Sequence, residues 1–510
     1  VTGPAAVTGP AAVAGNVAEL FLRSAGRFPA AEAVVEGDTR LSYAQLADQA
    51  SAIARRLATR GIRPRDRLGL LLPNGWRYGA VYLGAQLAGA VVVPVNSRLT
   101  PAEIEHVLHD CGAAALVVDK GLAGSAPPAC PLWDVHELSA PGPAADELPG
   151  TVLGAGDLAN ILYTSGTTGR PKGAMQTHGN LVFNAGTVAS TFDLGPDERT
   201  LIVAPMFHAT GINSQWVGFL AHGATAVVLP QFSAAAMLRA LVEERITFFA
   251  GVTTMIQLMM ADPAFAGADL SGLRTICFGG GPVPPALVPR LAEAFPQARL
   301  ANVWGQTEAT SITTCALGAP FLDRPWSVGR PVAGLQVAVH DGSGLVPAGA
   351  DTVGELWVRG PSVAAGYWNQ PQATAETFCA DGWLRTGDLG RLDADGFVQV
   401  LDRLKDMIIR GGENVYSLEV ESTLVQHPAV AEVAVVGIPD PVFGERVRAV
   451  VALRPGAQLT LQQLRAWAAD RLADFKLPED LSVVAQLPRS PAGKVLKRAL
   501  STDGDPAVRR

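Results

Sequence analysis

The stretch YTSGTTGRPKG (163–173) places four Ser/Thr hydroxyls, three glycines and one lysine in eleven residues. Glycines let backbone N–H groups approach an oxyanion, hydroxyls donate hydrogen bonds, and Lys172 adds a point charge. That combination suits a polyphosphate. It is not a Walker A loop: counted from Gly166, Pro171 stands where the second glycine belongs and Gly173 where Ser/Thr belongs. Composition alone leaves open a Ser/Thr/Gly surface loop with no ligand, since such loops are common.

Other stretches could contribute chemistry: PMFHATGIN (205–213), GGGP (279–282), WGQTE (304–308), WLRTGD (383–388), DRLKDMI (402–408), GGENVYSLEVE (411–421) and PRSPAGKVLKR (488–498). Each has an ordinary reading beside the chemical one. A Trp at a strand end can be core, TGD and GGGP can be turns, and the charges at 403–406 can be solvated surface. His208 can be a satisfied structural histidine, and a lysine in a Gly/Pro loop can simply be exposed.

The elements that must position these stretches are visible as short apolar runs, LGLLLP (68–73), AVVVPV (90–95), AALVVD (114–119), RTLIVAP (199–205), ATAVVLP (224–230), ITFFAGV (246–252), LRTICF (273–278) and ARLANV (298–303). Most precede a helix-length segment. Buried β-runs alternating with helices imply parallel sheets covered by helices on both faces. Thr100, Pro101 and Glu103 spell a capped helix start with Pro in its first turn. In such folds ligands collect outside the carboxyl ends of the strands. Four of the unusual loops follow strands in this way, so they are expected on one edge of a sheet. From about 325 to 400 the pattern turns to short β segments. A compact α+β unit follows, read as strands 431–438, 447–453 and 481–485 with an amphipathic helix over 461–475. The expected division is a disordered leader (1–15), a large N-terminal domain (16–402), a hinge (403–406) and a small mobile C-terminal domain (407–510).

The chain has 510 residues, 17% of them charged, and a net charge of −7. It is long enough for more than one domain and lacks the basic block that nucleic acid or an anionic membrane would require. The longest apolar run, 79–95, is broken by Gly89 and Pro94 and suits a buried helix and strand rather than a membrane span. Five scattered cysteines with no CxxC pair argue against a disulfide framework or a zinc site, and for reduced thiols in a cytoplasm.

Taken together and in order, these motifs resemble those of the adenylate-forming superfamily of acyl- and aryl-CoA synthetases, peptide-synthetase adenylation domains and luciferases, over nearly the whole chain after the leader. The resemblance implies ATP, Mg²⁺ and CoA as cosubstrates and a small-molecule carboxylic acid as substrate, in a monomer or homodimer. It assigns Thr164, Ser165, Gly166, Thr167, Thr168, Gly169 and Lys172 to the phosphates. Gly280, Gly281, Pro282, Asn302, Trp304 and Gly305 fall around adenine, Thr307 at the α-phosphate, and Glu308 at Mg²⁺. Asp388 and Arg403 match the ribose contacts, Lys405 the hinge, and Lys494 the lysine of the adenylation step. Arg98, Gly411, Gly412, Glu413, Phe443 and Phe475 fall where relatives meet CoA. His208, Gly211, Ile212, Asn213, Val252, Gly279 and Gly280 fall along the acyl pocket, with Asn213 and Gln215 as polar handles and His208 as a gate. Trp304 stands where relatives usually carry Tyr, and Ser417 where they often carry Pro, a change expected to have little effect.

Amino-acid-activating relatives have an Asp after the Phe of 205–208 to pair the substrate ammonium. Here it is His208, which disfavours an amino-acid substrate. No Lys or Arg lies in 208–216, 251–255, 279–282 or 304–313, which disfavours a second carboxylate. The reading is an acyl-CoA synthetase for a fatty or aromatic acid. The alternative is an acyl-AMP ligase loading an acyl carrier protein, against which the chain shows no insertion between Arg403 and Asn414.

Overall fold

The computed structural model describes residues 15–140, 153–164, 171–281, 283–489 and 495–501. The leader (1–14), the tip of the Ser/Thr/Gly loop (165–170), Pro282 and 490–494 lie outside the described residues.

The apolar runs form two mainly parallel sheets. In the nine-stranded sheet, Arg299–Trp304, Thr275–Phe278, Phe248–Gly251, Arg199–Ile202, Thr225–Val228 and Glu32–Glu36 run parallel as neighbours in that order. Thr314–Leu317 and Arg330–Pro331 close one edge antiparallel, and Thr39–Ser42 closes the other. In the six-stranded sheet, Leu132–Asp134, Ala113–Val118, Arg67–Leu71, Val91–Pro94 and Leu158–Thr164 are parallel, and Lys172–Thr177 returns antiparallel. Central strands such as Phe248–Gly251, Thr275–Phe278 and Val91–Pro94 are buried throughout, the signature of sheets covered on both faces. A five-stranded antiparallel sheet follows, from Gln336–His340 to Val398–Arg403. The C-terminal unit has its own sheet and core.

The sequence reading holds at Pro101–Cys111. Thr100 and Glu103 form the capping box, and Gly112 ends the helix at φ +60°. Three corrections follow. The helix placed over 461–475 ends at Ala468, and the chain turns so that Leu472 and Leu477 enter the same core. The N-terminal segment, left without strands, supplies Glu32–Glu36 and Thr39–Ser42 to the nine-stranded sheet. Only three of the four loops expected on one edge share a sheet. The loop at 165–170 follows Leu158–Thr164, which belongs to the six-stranded sheet.

Among the described residues no helix is long and apolar enough to cross a membrane. The five cysteines are free.

Helix Val17–Arg27 is docked by its first N–H, which donates to Nδ1 of the buried His178 (3.3 Å). Burial lowers the His178 pKa to about 4. Between pH ~6.5 and ~4 the unfolded chain therefore binds a proton that the folded chain refuses, and stability falls as pH drops through that window, by up to about 3 kcal/mol. His178→Asn keeps an acceptor for Val17 and removes the titration. The urea midpoint of this variant is expected to fall less than that of the wild type as pH drops across that window.

Candidate active site

The candidate residues follow four strands of the nine-stranded sheet and one of the six-stranded sheet. Arg299–Trp304 delivers Gly305 and a 3₁₀ turn, Thr307–Ala309. A Cβ on Gly305 would lie 1.7 Å from the Ser311 carbonyl oxygen, so only glycine permits this tight return. Glu308 on that turn accepts from the Tyr367 hydroxyl (2.9 Å) and from Thr164 Oγ1 (3.4 Å). Thr164 ends its strand in the other sheet, so Glu308 stands at the seam between the two. Lys172, on the returning strand, holds its ammonium 5.2 Å from the Tyr367 ring centre. Burial and then the Glu308 charge push the Tyr367 pKa up, which keeps the phenol a donor. Tyr367 reaches this place because its segment pairs with the Lys172–Thr177 strand: Trp368 N donates to Gly173 O (2.8 Å) and Ala365 N to Met175 O (2.8 Å).

A second cluster lies on the five-stranded sheet. Asp388 Oδ2 accepts from Trp304 Nε1 (2.8 Å), and its Oδ1 pairs with Arg403 Nε (2.6 Å). The strand register places Asp388 opposite Arg403. Trp304 is largely buried among Ala309, Val337 and Leu356, so much of its ring is core as well as wall. Asn302 Nδ2 donates to Ser327 O (2.9 Å) and supports the same strand end.

On the acid side, His208 is half-buried, edge-on to Phe207 with ring centres 4.6 Å apart. Gly211 lies so close to Pro205 that a Cβ would stand 2.5 Å from its carbonyl oxygen. Residues Thr210–Val217 form a π-helix, a wide turn often found at functional sites. Val252 and Gly279–Gly281 follow the adjacent strands, with Gly280 at φ +76°. Ile212 and Asn213, expected along the pocket, are fully buried. Asn213 spends its amide on Asn160, Gln176 and the Thr310 carbonyl, and Gln215 donates to Thr200 and Leu201. Neither presents a polar handle to a ligand; the buried amide partners win.

In the C-terminal unit, Gly411 (φ +60°) and Gly412 (φ +89°) turn the hairpin Ile408–Arg410/Glu413–Val415. Gly411 N donates to Phe443 O (2.7 Å), and the Arg410 guanidinium lies 4.5 Å from the exposed Phe443 ring. Gly411, Gly412, Glu413 and Phe443 thus come together. Phe475 packs on the domain core, and Arg98 is exposed on the loop after Val91–Pro94. Lys405 is exposed, directly after a buried junction. Asp402 accepts from Ser417 N and Oγ, and Lys497 Nζ donates to Ser417 Oγ (2.6 Å) and pairs with Glu421 (2.7 Å). Burial raises the pKa of both carboxyl groups against the opposing pull of Lys497. Expected to matter little, Ser417 instead supplies an N–H that Pro lacks. Ser165, Gly166, Thr167, Thr168, Gly169, Pro282 and Lys494 lie outside the described residues. Flanking Lys494, Arg489 and Val495 are bridged antiparallel.

The chain matches the family described as AMP-binding enzyme over residues 21–368 and the AMP-binding enzyme C-terminal domain over residues 419–494. It belongs to the AMP-binding enzyme family. It is 40% identical over 484 residues to a feruloyl-CoA synthase of Amycolatopsis sp, covering 93% of this chain and 96% of that one. It is 35% identical over 506 residues to a long-chain-fatty-acid–CoA ligase of Mycobacterium tuberculosis, covering 95% and 98%. Its fold matches the O-succinylbenzoate coenzyme A synthetase of Bacillus subtilis in complex with ATP and magnesium ion, with TM-score 0.88, 30% identity, and coverage of 96% and 100%.

Sequence reasoning missed two features of this AMP-binding enzyme. One is Tyr367, whose only signal is an aromatic pair in GYWN. The other is the set of buried amides, signalled by polar residues inside apolar strands, Asn160 in LANILYT and Gln176 in KGAMQT.

The carboxylate of Asp388 faces two donors. Asp388→Asn sets an NH₂ against one of them, a mismatch expected to cost ~1–3 kcal/mol. Trp304→Phe removes one bond and leaves the Arg403 pair, for ~0.5–1.5 kcal/mol. Chemical denaturation of the two variants checks the order.

Proposed function

We propose that this AMP-binding enzyme is an acyl-CoA synthetase. It joins a carboxylic acid to ATP, giving acyl-AMP and pyrophosphate, and passes the acyl group to CoA, giving acyl-CoA and AMP. The observation that carries the reading is the meeting of Glu308, Thr164, Lys172 and Tyr367 at one seam, beside the Trp304–Asp388–Arg403 cluster. One end offers a carboxylate to a magnesium–phosphate complex and a cation to its oxyanions. The other offers a carboxylate to a sugar diol.

A free carboxylate resists thiols because oxide is a poor leaving group. Its attack on the α-phosphorus expels pyrophosphate and turns AMP into the leaving group of the second step. Positioning and charge neutralisation carry most of such a reaction. Glu308 suits Mg²⁺ bound with its nucleotide, which commonly takes one or two protein carboxylates plus phosphate oxygens. Lys172, the hydroxyls at Thr164, Ser165, Thr167 and Thr168, and Lys494 oppose the phosphate charge. Asp388 and Arg403 take the ribose, and His208 stands by the acid.

We assign the large domain to 16–402, the hinge to 403–406 and the small domain to 407–510. Rotation about Lys405 exchanges the lysine segment for the glycine turn at 411–412, the latter serving CoA with Phe443. The substrate is a fatty or aromatic monocarboxylic acid. The small apolar wall (Ala209, Gly211, Val252, Gly280) supports this, as does the absence of Lys or Arg from the pocket segments. The relatives named for ferulate and for long-chain fatty acids support the same two classes. A cytoplasmic location fits the free cysteines and the cosubstrates.

Product analysis by mass spectrometry, with fatty, benzoic, cinnamic and amino acids plus magnesium–ATP, tests the reading. Acyl-CoA is expected only when CoA is added, with amino acids inert. Acyl-AMP accumulating while CoA is ignored sinks it and favours transfer to a carrier protein. Lys494→Ala is expected to slow acyl-AMP formation by ~10²-fold, as for loss of one charge-stabilising donor. Thioester formation from supplied acyl-AMP should change far less.

A further inference from the structure

Glu308 rides on a strained turn. Thr310, two residues on, has φ +66° and is fully buried. Ser311 N donates to Ala309 O (2.8 Å), which closes a γ-turn of the rare positive-φ kind around a β-branched residue. Such a conformation persists only where its surroundings over-determine it.

Those surroundings include the Thr310 hydroxyl bonded to Ser362 O (2.6 Å), the Ala364 N–H on Glu308 O (2.9 Å), and two side-chain amides. Gln176 Nε2 donates to Thr307 O (2.9 Å), and Asn213 Nδ2 donates to Thr310 O (2.8 Å). The carbonyls on either side of Glu308 are therefore both gripped. The grips are joined, because Asn213 Nδ2 also donates to Gln176 Oε1 (3.0 Å) and Asn213 Oδ1 accepts from Asn160 (3.2 Å). All three amides are fully buried. Gln176 and Asn160 belong to the six-stranded sheet, and Asn213 to the π-helix beside the acid wall. Apolar side chains at 176 and 213 would pack as well but would leave the Thr310 carbonyl without this donor in the interior, a costly state.

We propose that Gln176 and Asn213 are positioning residues. Their joined amides hold the strained turn so that Glu308 meets magnesium–ATP already in place. The proposal rests on the role given to Glu308 above. It also ties the acid wall to the metal side of the site, since one side chain of the π-helix fixes the turn.

The test uses the full-length chain with Gln176→Met, Asn213→Leu, the double variant, and Gln176→Met combined with Thr310→Gly. Hydrogen exchange of the peptide spanning 305–312 reads the turn. Pyrophosphate release, with whichever of cinnamic, benzoic or dodecanoic acid the wild type uses best, is measured against Mg²⁺ concentration. In Gln176→Met, exchange is expected to quicken and the Mg²⁺ concentration for half-maximal rate to rise by ~10-fold, the scale of one buried hydrogen bond. Affinity measured without Mg²⁺ for adenosine, which lacks the α-phosphate that Thr307 would meet, and the KM for the acid should stay within ~2-fold. The double variant should be little worse than the worse single one, because the amides act as a unit. Thr310→Gly takes the positive φ without strain, so it should recover part of the loss.

Unchanged exchange, or faster exchange with an unchanged Mg²⁺ response, overturns the proposal. So does a parallel fall in pyrophosphate release and in thioester formation from supplied acyl-AMP, which marks general loss of structure. If Gln176→Met fails to fold, the Asn213→Leu arm decides by the same readouts. A wild type that releases no pyrophosphate with any acid refutes the synthetase reading instead, and hydrogen exchange still decides whether the amides hold the turn.

Discussion

Two separately built sheets must be held in fixed relation across one seam, and the seam is closed by buried polar groups that satisfy one another. Asn160 and Gln176 lie on strands of one sheet, while the Thr307 and Thr310 carbonyls follow a strand of the other. Burying such groups without partners is expensive, so the sheets are favoured only in the arrangement that pairs them. Apolar packing alone would tolerate small slips between the two surfaces. Directional bonds do not, and Glu308 and Thr164 inherit that exactness from opposite sides.

The junction with the C-terminal domain follows a different principle. It gathers Asp402, Glu421 and Lys497 around Ser417 in a buried cluster. Breaking one partner of such a cluster is costly even where the whole adds little net stability. The neighbouring residue Lys405 is exposed, on a turn that Asp406 N (2.9 Å) and Met407 N (3.1 Å) close onto Arg403 O.

What the sequence discloses follows burial. The parallel strands are legible because both their faces are covered, which makes them short unbroken apolar runs, and Thr100–Glu103 is legible because capping is local. Trp304, Asp388, Arg403 and Glu308 are legible only through motif resemblance; the structure joins Trp304, Asp388 and Arg403 in one cluster and sets Glu308 on the turn that follows Trp304. The amide network is not legible in this way. A single Gln in the return strand gives no sign of a partner on the π-helix, since the pairing exists only once the sheets have met. The N-terminal strands fail for another reason. Thr39–Ser42 is an edge strand with no fully buried residue, so it lacks the apolar run that marks the others. Asn213 and Gln215 misled because a polar residue near a pocket motif can face inward as readily as outward.

The strand Glu32–Glu36 is made early but seated late. It lies parallel to Thr225–Val228, with Val34 beside Ala226, so its inner partner does not exist until that much of the chain has left the ribosome. Until then it can form only a hairpin with Thr39–Ser42, and an isolated hairpin is marginal in water. Synthesis of this chain thus includes a long interval in which an apolar strand waits unpaired. Protection during that interval bears on the yield of folded enzyme as directly as the stability of the finished sheet.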